Sequence, residues 1–168
     1  MISIRKMSIQ DYEVVTKWLS TPEVLEYYGD IHSPFSLEQV IKKYESRIIG
    51  EIPITPYIAL LNTIPIGFMQ NYRVIEKDQL AFGYQKKQII YGMDMFIGEP
   101  TLFGKGYGTQ MVIKFVNDLF LTTDAEIIIL DPKITNTRAI RCYEKCGFVK
   151  VKKINHKTCW LMNKLKID

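Results

Sequence analysis

Gly104-Lys105-Gly106-Tyr107-Gly108-Thr109 is the stretch on which the fold turns. Three glycines alternate with larger residues, and the chain then runs straight into Gln110-Met111-Val112-Ile113-Lys114-Phe115-Val116-Asn117-Asp118-Leu119-Phe120-Leu121. There Val112, Phe115, Val116 and Leu119 recur at helical spacing, which predicts an amphipathic helix from about Thr109 to Leu121. A glycine backbone approaches a ligand closely and tolerates positive φ. The N–H groups of a helix's first turn then attract an anion. The stretch is neither G-x-x-x-x-G-K-S/T nor G-x-G-x-x-G, so it matches no nucleotide-binding fingerprint of those types.

Working outward, Gln88 to Ile97 lies upstream and reads as a long strand, apolar on both faces and therefore central. Downstream, Ile127 to Leu130 is wholly apolar, as a buried parallel neighbour should be. Thr137 to Cys146 follows as a helix capped by Asn136 and stopped by Gly147, and Val149–Ile154 with Thr158–Met162 closes the chain as a hairpin. Towards the N-terminus, Ile2 to Arg5 alternates as a first strand. Helices are expected from Ser8 to Trp18, from Thr21-Pro22 to near Gly29, and from Leu37 to Ile49. Pro56–Leu61 and Pro65–Tyr72 flank Asn62-Thr63-Ile64 as a hairpin. This order, β-α-α-α-β-β-β-α-β-α-β-β, predicts an α/β domain around one mixed sheet.

With 168 residues, no internal repeat and no linker, the chain is expected to be a single domain, 1–168. A domain of this size buries roughly 70% of the surface its unfolded chain exposes. At 47% hydrophobic it needs neither disulfide nor metal to hold a core. The three cysteines, Cys142, Cys146 and Cys159, form no C-x-x-C pair, and His32 and His156 are the only histidines; buried thiols in a reducing compartment are expected, and no metal site. Met1-Ile-Ser-Ile-Arg-Lys lacks the apolar core of a leader, and no apolar run approaches the ~18 residues of a membrane helix, so a cytoplasmic protein without a membrane partner is expected. The net charge of +4 is too mild to argue for nucleic acid. Its distribution is uneven: Glu23, Glu26 and Asp30 lie together, whereas Lys133, Arg138, Arg141, Lys145 and Lys150 follow Pro132. Such a division suits a cationic acceptor and an anionic cofactor, and equally an ordinary solvated surface.

Thirty residues beyond the glycines runs Asn136-Thr137-Arg138-Ala139-Ile140-Arg141-Cys142-Tyr143-Glu144-Lys145-Cys146-Gly147-Phe148. Together the two segments resemble the GNAT superfamily of acyl-CoA N-acyltransferases. Its phosphate loop has the form Q/R-x-x-G-x-G/A, and N-x-x-A-x-x-x-Y-x-x-x-G-F lies downstream. The second pattern is matched at every fixed position; the first is matched at Gly106 and Gly108, with Phe103 in the Q/R position. From Tyr12 to Phe148 the chain further resembles the aminoglycoside 6′-N-acetyltransferases, in Trp18-Leu19, Glu26-Tyr27-Tyr28-Gly29, Thr55-Pro56-Tyr57-Ile58-Ala59, Pro65-Ile66-Gly67 and Asp131-Pro132. The decapeptide from Tyr91 to Pro100 is similar to the acetylating half of that family's bifunctional member.

The resemblance implies the GNAT fold, a mixed central sheet flanked by helices whose fourth and fifth strands splay to admit pantetheine. It implies acetyl-CoA as acetyl donor, held by Gly104, Lys105, Gly106, Tyr107, Gly108 and Thr109, with Phe96, Ile97 and Asn136. It implies Asp94 as the base that takes the acceptor's proton and Tyr143 as the acid that returns one to the thiolate. A polycationic acceptor would meet Tyr27, Tyr57, Gln70, Asp94, Glu99 and Asp131 on a monomer or homodimer. Read from the residues alone, Asp94 is equally a strand acid that anchors substrate, Tyr143 a core aromatic and Asn136 a helix cap. A siderophore hydroxylamine, a polyamine or a protein N-terminus remains open as acceptor, as does a CoA-binding sensor without turnover.

Overall fold

The structure is a computed structural model that describes residues 1–167. Its single sheet has seven strands in the order β1-β2-β3-β4-β5-β7-β6. The strands are β1 (Ile2–Lys6), β2 (Ile54–Leu61), β3 (Ile64–Arg73), β4 (Ile90–Ile97), β5 (Ile127–Leu130), β6 (Val149–Ile154) and β7 (Cys159–Leu165). The chain divides into two compact units: Met1–Gln70 with Asp94–Met111, and Asn71–Met93 with the chain from Val112 on. β3 and β4 each begin in one unit and end in the other.

In the first unit β1 pairs antiparallel with β2, Ile2 opposite Leu61 and Lys6 opposite Tyr57. The expected Ser8–Trp18 helix is divided into a 3₁₀ turn, Ile9–Asp11, and α1 (Tyr12–Trp18). Asp11 explains the division. Its carboxylate accepts from Ser8 N at 2.8 Å and takes a two-armed ion pair from Arg5 at 2.8 and 2.7 Å, which fixes the first turn before the α-helix begins. α2 (Pro22–Leu25) is one turn long and stops short of Gly29, and Tyr28 packs on Phe68 and Phe96 instead of continuing the spiral. α3 (Leu37–Ile48) starts in a capping box: Gln39 N donates to Ser36 Oγ at 3.2 Å, and Ser36 N to Gln39 Oε1 at 2.9 Å.

The core of this unit joins Val15, Trp18 and Leu19 of the first helical segment with Val40 and Tyr44 of α3, Ile58 of β2, Phe68 of β3 and Phe96 of β4. Trp18, Tyr44 and Phe68 are completely buried. Truncating any one of these rings to alanine would cost about 3–5 kcal/mol.

In the second unit β5 is the buried parallel strand foreseen from its sequence. Ile90, Tyr91 and Gly92 of β4 register with Ile127, Ile128 and Ile129, and the pairing ends there while β4 continues to Ile97. β7 pairs antiparallel with β5 on one side and β6 on the other. A short helix absent from the expected order, α4 (Glu76–Ala81), follows β3. α5 (Tyr107–Thr122) starts two residues before its expected position, and α6 (Thr137–Lys145) follows β5. The turn between β6 and β7 holds Asn155, His156 and Lys157 in succession at positive φ, 51°, 54° and 66°. β6 is the outermost strand, largely exposed, with an irregularity between Lys150 and Lys152.

Candidate active site

The chemistry begins at Asp94, in the middle of β4. Strand alternation sends this side chain to the opposite face from Met93, which is fully buried. Asp94 Oδ2 accepts from Gln70 Nε2 at 2.6 Å, and Gln70 Oε1 accepts from Arg47 Nη1 of α3 at 2.8 Å. The three residues form a continuous line from helix to strand to strand. Burial raises the Asp94 carboxyl above the ordinary aspartate value, while the Gln70 hydrogen bond and the Arg47 and Lys43 charges pull it down. A group so poised takes a proton more readily than a solvated aspartate. Lys43 feels the same surroundings: burial and Arg47 lower its ammonium, and Asp94 raises it. Burial also drives the Tyr44 phenol well above its usual value.

Phe68, two residues before Gln70 on β3, and Phe96, two residues after Asp94 on β4, belong to an aromatic cluster. Phe68 stacks on Phe96 with ring centres 5.3 Å apart, Tyr44 tilts against Phe68 at 5.3 Å, Tyr28 against Phe96 at 4.6 Å, and Trp18 meets Phe96 edge-on at 6.0 Å.

Glu99, five residues beyond Asp94, stands in another environment. Its Oε1 accepts from Lys17 Nζ at 2.7 Å and from Trp18 Nε1 at 2.9 Å. Burial alone would raise this carboxyl, but the two hydrogen bonds and the Lys17 charge outweigh it and hold the group below its ordinary value. The neighbouring Gly98 is demanded by crowding: a Cβ there would come within 2.1 Å of the Trp18 ring. Among the other residues expected on the acceptor side, Gln70 is buried and joined to Asp94, whereas Tyr27 (after α2) and Tyr57 (on β2) are half-buried.

Ahead of α5 the loop behaves as glycine chemistry requires. Gly104 and Gly106 have φ of 72° and 84°, and a Cβ built on either meets nothing within 4 Å. These glycines therefore serve backbone conformation and leave the space above them clear. Gln110 N makes an early helical bond, to Gly106 O at 3.2 Å, so Tyr107, Gly108 and Thr109 form the N-terminal turn whose N–H groups lie before that bond. Lys105 beside them is exposed. Phe96 is buried and Ile97 half-buried at the end of β4.

Three expected site residues belong to the second unit. Asp131 is exposed directly after β5. Asn136 caps α6, its Oδ1 accepting from Ala139 N at 3.2 Å. Tyr143 is 8% exposed, with its ring edge-on to Phe148 at 6.1 Å. Among the described residues no cluster of three or more His, Cys, Asp or Glu is placed to hold a metal, and no helix is long and apolar enough to cross a membrane.

Sequence reasoning passed over Lys43, Tyr44 and Arg47. A signal for them existed. Val40, Lys43, Tyr44 and Arg47 fall at i, i+3, i+4 and i+7 of α3, so two cations occupy the stripe that Val40 and Tyr44 bury. Charges on a buried stripe announce a polar partner on the facing strand.

The model of the GNAT acetyltransferase domain matches residues 8–156. The chain belongs to this family. Among its relatives, the aminoglycoside N(6′)-acetyltransferase type 1 of Klebsiella pneumoniae is 32% identical over 147 residues, 88% of this chain and 73% of the relative. The same enzyme of Serratia marcescens aligns equally well. Among solved structures, aminoglycoside acetyltransferase AAC(6′)-Ib in complex with ribostamycin and coenzyme A superposes with a TM-score of 0.82 at 28% identity, covering 98% of this chain and 93% of that one. Its complex with coenzyme A and kanamycin gives 0.81 at 28%, over 99% and 95%. Within the GNAT class, then, the chain falls among the aminoglycoside 6′-N-acetyltransferases, and the mixed sheet with its parallel β4–β5 pair is the GNAT fold.

Proposed function

We propose that the protein, as one acetyltransferase domain working in the cytoplasm, moves the acetyl group of acetyl-CoA to the 6′-amine of an aminoglycoside in a ternary complex, and so confers resistance. One observation carries this reading beyond membership of the family: a carboxylate stands in mid-strand, hydrogen-bonded to Gln70, its proton affinity raised by burial. A protein that only bound coenzyme A would have no use for it.

The Gly104–Thr109 turn suits a pyrophosphate, because positive φ at Gly104 and Gly106 leaves the approach to the backbone clear. Acetyl-CoA bound there supplies a thioester acetyl group. Asp94 holds the acceptor's ammonium and then takes one of its protons, freeing the nitrogen lone pair to form the new N–C bond. Backbone N–H groups at Phe96 and Ile97 polarise the carbonyl, as donors preorganised toward developing charge do. The C–S bond breaks as Tyr143 gives its hydroxyl proton to the leaving sulfur; the nitrogen, on becoming an amide, sheds a second proton that restores the Tyr143 hydroxyl, and Asp94 releases the first to solvent. On the acceptor side both Glu99 hydrogen bonds fall on Oε1, which leaves Oε2 to meet a second ammonium; the family resemblance is what supports acceptor contacts for Tyr27, Tyr57 and Asp131.

The test is thiol release from acetyl-CoA by the purified protein over a panel of amines, with mass and NMR analysis of the product. Release that depends on kanamycin or ribostamycin, with one acetyl group at the 6′-nitrogen, is expected. Release with a polyamine or a hydroxylamine alone would move the reading to another acceptor, and no release with any amine would end it.

A further inference from the structure

We propose that Arg47 is the positioning residue for Asp94: its guanidinium holds the Gln70 amide in the one orientation that donates to the carboxylate. This rests on the reading of Asp94 as the base.

A glutamine amide has two ends of similar size and opposite chemistry. Its oxygen accepts and its nitrogen donates, and a half-turn exchanges them. A guanidinium only donates. With Arg47 Nη1 2.8 Å from one end of Gln70, that end must be Oε1, and Nε2 is thereby turned to Asp94 Oδ2, 2.6 Å away. Without Arg47 the amide is free to turn. Its oxygen would then face the carboxyl group, an arrangement that repels the ionised form and accepts a hydrogen bond from the protonated one. Arg47 thus decides which protonation state the glutamine favours.

The setting of Arg47 supports a role outside its own stabilisation. It forms no ion pair among the described residues, its Nε is buried with no hydrogen-bond partner, and its guanidinium lies over the Tyr44 ring at 5.4 Å. The Tyr44 hydroxyl is likewise buried without a partner. A buried donor left unsatisfied is destabilising, so the guanidinium is seated here for what Nη1 does at Gln70 and not for the satisfaction of its own N–H groups. The groups facing Asp94 are Gln70 from β3 and Lys43, Tyr44 and Arg47 from α3. Lys43 contributes charge with no hydrogen bond to the amide, so Arg47 is the residue that sets its direction.

The experiment reads Asp94 twice. Carbon NMR of aspartate-labelled protein follows its carboxyl titration, and the pH profile of kcat/KM with kanamycin follows its use. In Arg47→Met the Asp94 titration is expected to move up by roughly one pH unit, with the acid limb of kcat/KM moving alongside and acetyl-CoA affinity unchanged. Gln70→Leu, which keeps the Arg47 charge and breaks the line at its middle, is expected to move the titration the same way. It also serves if Arg47→Met fails to fold. Lys42→Met, an equal loss of charge on the exposed side of α3, is expected to move neither. An unmoved Asp94 titration in folded Arg47→Met, or in Gln70→Leu should Arg47→Met fail to fold, would overturn the proposal. So would a Lys42→Met shift as large as that of Arg47→Met, since net charge would then explain the effect. A titration that moves while the acid limb stays in place supports the hold of Arg47 on Asp94 and removes Asp94 as the base.

Discussion

Asp94 and Glu99 are two carboxylates on one short stretch of chain, and they have been given opposite environments. Asp94 stands in mid-strand, its proton affinity raised by burial. Glu99 stands in the turn after the strand, its affinity lowered by Lys17 and Trp18. The first is a liability at neutral pH, where an ionised group is held in a poor solvent. The second ties β4's exit to α1 through a lysine and an indole. Acids five positions apart thus divide into one suited to proton transfer and one biased towards its charged form, and what surrounds each decides its part.

The largest expected effect tests the first half of the contrast. Asp94→Asn should lower kcat with an aminoglycoside by roughly 10²–10⁴ while leaving acetyl-CoA affinity near wild type, as steady-state kinetics and calorimetry would read. A rise in KM at preserved kcat would make Asp94 an anchor, closer to Glu99 than the contrast allows. Gly106→Val sharpens it from the donor side. Acetyl-CoA affinity should fall about tenfold or more, because the isopropyl group fills the clear space above the loop at a φ that β-branched residues avoid; Lys105→Ala should change it less than threefold.

Smaller effects concern stability. Glu99→Ala leaves the buried Trp18 Nε1–H without its partner and should cost about 1–3 kcal/mol in denaturant unfolding. Glu99→Gln keeps that acceptor and should cost under about 1 kcal/mol, since the Lys17 ion pair is largely exposed. The sign of the pH dependence separates the two acids. A lowered carboxyl stabilises above its unfolded value near 4.5 and loses that contribution as pH falls through the folded value, so the Glu99→Gln deficit should vanish in acid. A raised carboxyl does the reverse: its contribution is present below the unfolded value near 3.8 and is lost as pH rises through the folded one. Asp94→Asn should therefore be at least as stable as wild type at pH 7, and the gain should fade towards pH 4. An Asp94→Asn protein that melts lower at neutral pH would break the contrast.

Much of this was legible in the sequence because local chemistry determined it. β5 and β6 fall at their expected bounds, and α6 starts where Asn136 caps it. α5 was signalled by its glycines and apolar spacing, and Asp94 stood out as an acid among Met93, Met95 and Phe96. What escaped depended on side-chain partners, some near along the chain and some far. The Ser8–Trp18 helix breaks because Arg5 reaches Asp11. The partners of Glu99 and Asp94 lie on α1 and α3, 82 and 47 residues away along the chain for Lys17 and Arg47 respectively; the cations on the buried stripe of α3 announce a polar partner without saying which residue it is. α4, six residues long, carries no apolar stripe of its own to betray it.

β6 has a consequence for how copies of the protein meet. An outermost strand presents unpaired N–H and C=O groups to any other strand that drifts alongside, the usual start of edge-to-edge aggregation. Here that edge carries Lys150, Lys152 and Lys153, with an irregularity in its ladder, and the ammonium groups of Lys150 and Lys153 lie over the Trp160 ring at 5.4 and 5.3 Å. Two such edges approaching each other bring like charge against like, most strongly at low ionic strength. Lysines along an outermost strand are one of the ways a sheet resists the addition of a further strand at that edge.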